Sequence, residues 1–248
     1  MNKVIEQFTK RAGTYSGSAN WISDPALIQA HLDAAGRTPP GEVLELCCGT
    51  GMVGRQFRAA GWCVCGIDLT RQMAEEANRY FPCICTPAES IPYLDGSFDV
   101  VVLRQAYFLL DDGQRALAEA HRVLKKDGVL VFSQTVPFGA KDAPWLEKIH
   151  RTKQAQLREF YTEETLAAEL GRARFRVAET RRLSVRENIS RWMEAAPELS
   201  AEKRAEVCNL IAGAPEAYRR PHRVEEVAGE LFEDWNWVVF AARKNEPG

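Results

Sequence analysis

Two carboxylates and a glycine-rich turn are the residues of this sequence best placed to do chemistry. Residues 43–51 read Val-Leu-Glu-Leu-Cys-Cys-Gly-Thr-Gly, an apolar run that carries Glu45 and breaks into a turn at Gly49 and Gly51. Glycine brings no Cβ and takes positive φ, so a ligand can lie against the backbone there. A second apolar stretch over 62–67 ends in Asp68. Two parallel strands with acidic ends beside a glycine loop make a nucleoside pocket.

Two nucleoside cofactors compete for this pattern. Gly49-Thr-Gly51-Met-Val-Gly54 satisfies G-x-G-x-x-G, with Asp68 where a dinucleotide fold places its ribose-binding acid. That fold lays an anionic pyrophosphate over the turn and a helix N-terminus, and Glu45 would repel it. S-adenosylmethionine instead presents an ammonium and a sulfonium, which a carboxylate attracts. Glu45 therefore favours the methyl donor.

Five ordered blocks carry a family resemblance: Val43–Gly51, Gly66-Ile-Asp68-Leu-Thr, Ala88-Glu89-Ser-Ile-Pro92, Asp95-Gly-Ser-Phe-Asp99-Val-Val-Val102 and Arg122-Val-Leu-Lys-Lys-Asp-Gly-Val-Leu-Val131. Together they resemble the class I SAM-dependent methyltransferases, in the branch similar to the ubiquinone/menaquinone biosynthesis enzymes (methyltransferase type 11). The resemblance covers roughly residues 8–132 and the last strand. Cys47 stands where the family has its first glycine, and Pro87 where an acid often precedes Ala-Glu. The fold implied is α/β and Rossmann-like: a mostly parallel seven-stranded sheet with an antiparallel edge pair and a helical lid.

The resemblance and the position of each residue assign cofactor contacts. Glu45 is expected to face the ammonium, directly or through water, and Gly49, Thr50 and Gly51 to offer backbone to the methionine portion, with Cys47 beside them. Asp68 is expected to accept hydrogen bonds from the ribose hydroxyls. Leu69 and Met73 are expected to pack on adenine, Ala88 to offer it an N–H, and Glu89 to lie nearby. Arg104 and Gln105 end a strand beside the sulfonium, and Tyr15 and Arg11 resemble the family's N-terminal cover.

The elements that must position these residues are legible. Residues 24–36 read as a helix with Asp24 as cap, Pro25 at its first position and Gly36 at its end. Strands at 42–46, 63–67, 83–85, 98–104 and 129–135 alternate with helices at 52–60, 70–80 and 112–125, which implies a parallel sheet with right-handed crossovers. After Pro137 the alternation breaks. Helices are expected at 143–158 and 162–171, and strands at 175–185 and 235–243. The intervening 187–234 reads as helical, and together with 137–160 it is expected to form a substrate lid on a single 1–248 methyltransferase domain.

Composition bounds the function. The 248 residues are 46% apolar, enough for a sizeable core, and the formal charge of −2 disfavours general nucleic-acid binding. No apolar run approaches transmembrane length and the start lacks a signal peptide's apolar core, so the expectation is a cytoplasmic protein, monomer or homodimer. Seven cysteines lack Cys-x-x-Cys spacing and read as small buried hydrophobes, with no metal expected; a thiol-based metalloid site is the rival.

Methyl transfer needs a base only if the acceptor keeps its proton at neutral pH. His31 and His121 fall on helices remote from the strand ends and read as structural. His150 and His222 lie in the lid segments, where a base could come from, and Tyr107 follows a central strand where it could face the acceptor. Arginines at 172, 174, 176, 181, 182, 186 and 191 read either as a solvated strand face or as recognition of an anionic acceptor. The tryptophans near the lid suit a planar acceptor. The function expected is SAM-dependent O- or C-methylation of a small molecule. An NAD-dependent oxidoreductase and a non-catalytic SAM-binding protein are the alternatives.

Overall fold

The computed structural model describes residues 3–36, 41–194 and 196–245. Helix α1 (Lys3–Arg11) leads through a 3-10 turn to α2 (Asn20–Ser23) and α3 (Pro25–Ala35). The alternating part follows: β1 (Glu42–Leu46), α4 (Met52–Ala59), β2 (Cys63–Asp68), α5 (Arg71–Ala77), β3 (Cys83–Cys85), β4 (Phe98–Arg104), α6 (Gly113–Val123) and β5 (Leu124–Thr135). Then come α7 (Ala143–Lys153), α8 (Glu163–Arg172), β6 (Phe175–Asn188), α9 (Ile189–Glu194), α10 (Ala201–Ala212), α11 (Glu216–Arg219), β7 (Glu225–Val227) and β8 (Glu230–Lys244).

The strands form one sheet in the order β3-β2-β1-β4-β5-β8-β6. Its first five members run parallel, and β8 inserts antiparallel between β5 and β6. The α/β class, the parallel half and the antiparallel edge pair are as the sequence implies. The expected seven strands make up the main path, and among the described residues an eighth, β7, pairs β8 outside it. Ala228 and Gly229 both take positive φ between them, the geometry of a tight hairpin turn.

The central strands β1, β4 and β5 are mainly apolar because both of their faces are covered. Val43, Val100, Val102, Val131 and Val239 face one core with Phe57, Trp62 and Phe81. Leu44, Val101, Leu103, Leu130 and Phe132 face the other, with α6 and α8. His31 lies in the first layer, its Nδ1–H donating to the Leu27 carbonyl (2.6 Å) while Nε2 accepts from Ser133 Oγ (2.7 Å). Burial pushes it down to about 3, so it is neutral and structural, as expected.

Several boundaries shift. Helix α3 has the expected ends, with Asp24 accepting from Leu27 N and Gly36 in the left-handed region. Helix α7 stops at Lys153 rather than 158, because Gln154 leaves helical geometry and exchanges hydrogen bonds of 3.0 and 2.9 Å with Gln7. Strands β6 and β8 run past their expected ends, and among the described residues the helices of the segment 187–234 are confined to Ile189–Glu194, Ala201–Ala212 and Glu216–Arg219. Glu187 is the local reason: its buried carboxylate takes the Asn20 and Trp21 N–H groups (2.9 and 2.6 Å), fixing the end of β6 against α2. Among the described residues no helix is long and apolar enough to cross a membrane.

Candidate functional site

The strand order reverses around β1, and the crevice outside the carboxyl ends there is where open α/β sheets hold ligands. The loop after β1 is built around left-handed backbone at Cys47, Gly49 and Gly51 (φ 51°, 55° and 77°). Cys47 thus adopts a conformation that glycine takes without strain. Cys48 N holds it down by donating to Ile67 O (3.0 Å).

Asp68 organises this loop. Its Oδ2 accepts from Gly49 N and its Oδ1 from Thr70 N, both at 2.8 Å, while the residue stays 8% exposed. Burial raises its pKa, and the Thr70 and Gly49 N–H groups oppose that. One carboxylate therefore fixes both the glycine turn and the start of α5. Thr70, the residue before α5, makes no side-chain capping bond.

A cavity of about 320 Å³ opens beside this carboxylate. It brings together nine of the expected cofactor residues: Tyr15, Cys47, Gly49, Asp68, Leu69, Ala88, Glu89, Arg104 and Gln105. Five others lie elsewhere. Arg11 borders a neighbouring cavity. Met73 is packed under α5. Gly51 backs onto Phe81 instead, where an added Cβ would sit 2.8 Å from the ring. Thr50 Oγ1 lies 2.9 Å from Ser16 Oγ, tying down the N-terminal segment.

Glu45 is the fifth. Its Oε2 accepts from Gly54 N (2.8 Å) at the start of α4, and it is not among the residues that line the cavity. Burial pushes this carboxyl up to about 8, against the pull of the Gly54 N–H and Arg104. A Cβ on Gly54 would lie 2.6 Å from both Glu45 Oε2 and the Phe81 ring. Gly54→Ala is expected to cost about 1–3 kcal/mol by overpacking, read by urea unfolding; an unchanged midpoint would show that Phe81 gives way.

Arg104 and Gln105 spend most of their donors within the wall, although Arg104 Nε is buried without a hydrogen-bond partner among the described residues. The Arg104 guanidinium lies 4.9 and 5.7 Å from the Trp21 and Trp237 rings and donates to the Trp21 and Ile22 carbonyls. Burial lowers it only to about 10, so it stays charged. Gln105 spends its amide on Thr135, donating from Nε2 (2.8 Å) and accepting at Oε1 (2.9 Å).

A second cavity, about 70 Å³, adjoins the first through Phe8, Tyr15, Gln105 and Leu109. Its far side is lined by His150 and Lys153 of α7, Trp192 of α9, and Trp235 of β8. The segments 137–160 and 187–234 meet here and pack on each other, with Trp145 Nε1 donating to Leu210 O (2.9 Å).

Of the three expected catalytic residues, only His150 reaches a cavity. Its ring sits 5.7 Å from both Trp192 and Trp235, Nε2 is buried without a partner among the described residues, and burial pushes it down to about 3. Tyr107 is corrected: its ring turns into the opposite core against Phe132 and Tyr161, and its hydroxyl donates to Glu169 (2.9 Å). His222 is corrected too. It is stacked on Tyr218 at 3.9 Å, with Nδ1 donating to Asp234 O and Nε2 3.0 Å from Asp142. Both side chains serve packing.

The arginine-rich strand pairs outward. Arg181 meets Asp33 and Glu179, Arg182 meets Glu163, and Arg186 meets Asp234 and Glu225. The solvated-face alternative describes these three. Sequence reasoning missed Lys153, although Leu146, Ile149 and Lys153 follow helical spacing and place a lysine on an apolar stripe. Cys48 and Cys83 touch at 3.4 Å between sulfurs, and among the described residues no cluster of three or more potential ligands could hold a metal.

Residues 44–132 match the family model described as a methyltransferase domain. The malonyl-(acyl-carrier protein) O-methyltransferase of Pseudescherichia vulneris is 30% identical over 175 residues, covering 66% of this chain and 65% of that protein. The ubiquinone/menaquinone biosynthesis C-methyltransferase UbiE of Geotalea uraniireducens is 32% identical over 108 residues, 38% of this chain and 46% of that protein. The chain thus spans less than two thirds of the length of either curated relative. A presumed methyltransferase of Bacillus halodurans C-125 shares the fold with a TM-score of 0.79 at 19% identity, over 89% of this chain and all of that one.

Proposed function

We propose, from the premise that residues 44–132 form a methyltransferase domain on a class I fold, that the chain transfers a methyl group from S-adenosylmethionine to a small-molecule acceptor. The observation that carries this is a pair of adjoining cavities at the switch point, a larger one against the glycine turn and Asp68, and a small aromatic one beyond Tyr15 and Gln105. The larger cavity suits the donor: left-handed Gly49 keeps its backbone bare, and a buried carboxylate stands at the strand end where a vicinal diol needs an acceptor.

S-adenosylmethionine, when bound, supplies a methyl group on a sulfonium that is already a good leaving group. The chain's own work is then alignment and exclusion of water. Asp68 holds the ribose hydroxyls, Leu69 and Ala88 flank the adenine with Glu89 near it, and Cys47, Gly49 and Tyr15 border the methionine end. Arg104, fixed between two indoles, keeps that wall rigid. The segments 137–160 and 187–234 act as a lid that supplies the aromatic walls of the acceptor cavity, on one domain spanning the chain. His150 is a neutral hydrogen-bonding group there, too weakly basic at neutral pH to take a proton unaided. The relatives' names include both oxygen and carbon methylation, and a planar acceptor fits either.

Thermal unfolding tests the donor. S-adenosylhomocysteine at a hundred times its dissociation constant is expected to stabilise the protein by about 2.7 kcal/mol, and NAD and NADH to leave the midpoint unmoved. A shift with the nicotinamides alone would replace this reading by the oxidoreductase one.

A further inference from the structure

Lys153 is a buried lysine for whose charged form the described residues provide no counter-ion. It closes α7, is 6% exposed and borders the second cavity. Its Nζ lies 4.2 Å over the Trp192 ring, and among the described residues it has neither a hydrogen bond nor an ion pair. The carboxylates nearest in influence are already engaged. Glu198 takes Arg11 (2.5 Å) and Gln7 (2.8 Å), and Glu187 takes the Asn20 and Trp21 N–H groups. Burial pushes the lysine well below its ordinary pKa.

A second unmatched group stands beside it. His150, one turn earlier on the same face of α7, presents the buried, unpartnered Nε2. A π face alone is weak compensation for a desolvated ammonium. An ammonium and an imidazole N–H side by side offer two donors to one small planar anion, and the Trp192 and Trp235 rings, 4.8 Å apart and edge to face, wall the same space.

We propose that the second cavity binds the anionic end of a small aromatic carboxylate, which pairs with Lys153 and accepts from His150 Nε2 beside the tryptophans, while the ring reaches past Tyr15 and Gln105 toward the adjoining larger cavity. Neither Lys153 nor His150 borders the first cavity, so the carboxylate anchors the end of the molecule away from the reacting atom. Both are positioning residues. At about 70 Å³ the second cavity has room for the anionic end alone, which favours a carboxylate over a bulkier phosphate ester there and leaves the ring to the adjoining space. The proposal rests on the second cavity being the acceptor's.

The test compares benzoate with its neutral isostere benzamide, titrated into the full chain with and without saturating S-adenosylhomocysteine and followed by tryptophan fluorescence. Benzoate is expected to bind at least tenfold more tightly, and Lys153→Met to abolish that preference while changing benzamide affinity less than twofold. The variant replaces a buried charge by an apolar chain of similar volume, which is often neutral or stabilising, and its melting temperature verifies folding. Equal affinities in the wild-type protein, binding of neither probe, or a preference that survives Lys153→Met would each overturn the proposal. Failure of S-adenosylhomocysteine to bind would remove the methyl-transfer reading instead, and the benzoate–benzamide difference would still report on Lys153.

Discussion

Asp68→Ala is expected to weaken S-adenosylhomocysteine binding at least a hundredfold, measured by isothermal titration. The size of the effect comes from two losses at one site. The carboxylate borders the donor cavity, and it also holds Gly49 N and Thr70 N, so its removal takes away the ribose acceptor and releases the turn on which the ligand lies. The buried Thr70 N–H left without a partner should also cost on the order of 1–3 kcal/mol of stability, with the part-buried Gly49 N–H adding less. The variant is therefore to be compared below its own melting temperature. Asp68→Asn keeps one acceptor oxygen and should fall between the two. A folded alanine variant with unchanged affinity would refute the cofactor assignment as a whole.

Glu45 should behave in the opposite way: large in stability, small in binding. Its carboxyl is pushed up to about 8 in the folded protein, from an ordinary value of 4.5. The folded state then holds a proton that the unfolded chain has lost. Stability from this group is complete below about pH 4.5, declines as pH rises toward 8, and levels off above. At 1.36 kcal/mol per unit the decline is on the order of 3 kcal/mol or more. Glu45→Gln keeps an acceptor for Gly54 N and cannot ionise. Urea unfolding at pH 5 and pH 8.5 should show the wild-type protein losing that much more stability than the variant, whose affinity for S-adenosylhomocysteine should change less than tenfold. Parallel pH profiles would mean that the carboxylate is stabilised as an anion by Arg104 and the helix N-terminus.

Local signals were readable wherever a residue acts through its own backbone neighbourhood. Asp24, Pro25 and Gly36 delimit α3 because caps and left-handed ends depend on a few adjacent residues. The continuous apolar run of β4 announces a strand covered on both sides, and the spacing from Gly49 to Asp68 places an acid opposite a bare turn. What eluded the sequence depends on partners far along the chain. Strand β6 outruns its expected end at 185 because α2, far along the chain, supplies the N–H groups that hold Glu187. Lys153 falls inside the expected helix 143–158, and only the packing of Trp192 over its Nζ shows where it goes. Tyr107 and His222 look available in one dimension and are taken in three, by Glu169 and by Asp142.

The sequence by itself determined the α/β alternation, the glycine turn, and the acid at the end of β2, because hydrophobic period, φ preference and strand polarity are properties of short segments. The tertiary structure alone decided which way Glu45 points, which of the candidate bases reaches a cavity, and that a lysine is sealed among tryptophans. Those outcomes depend on which distant groups fill a shared volume and satisfy each other's hydrogen bonds, and no local pattern encodes that.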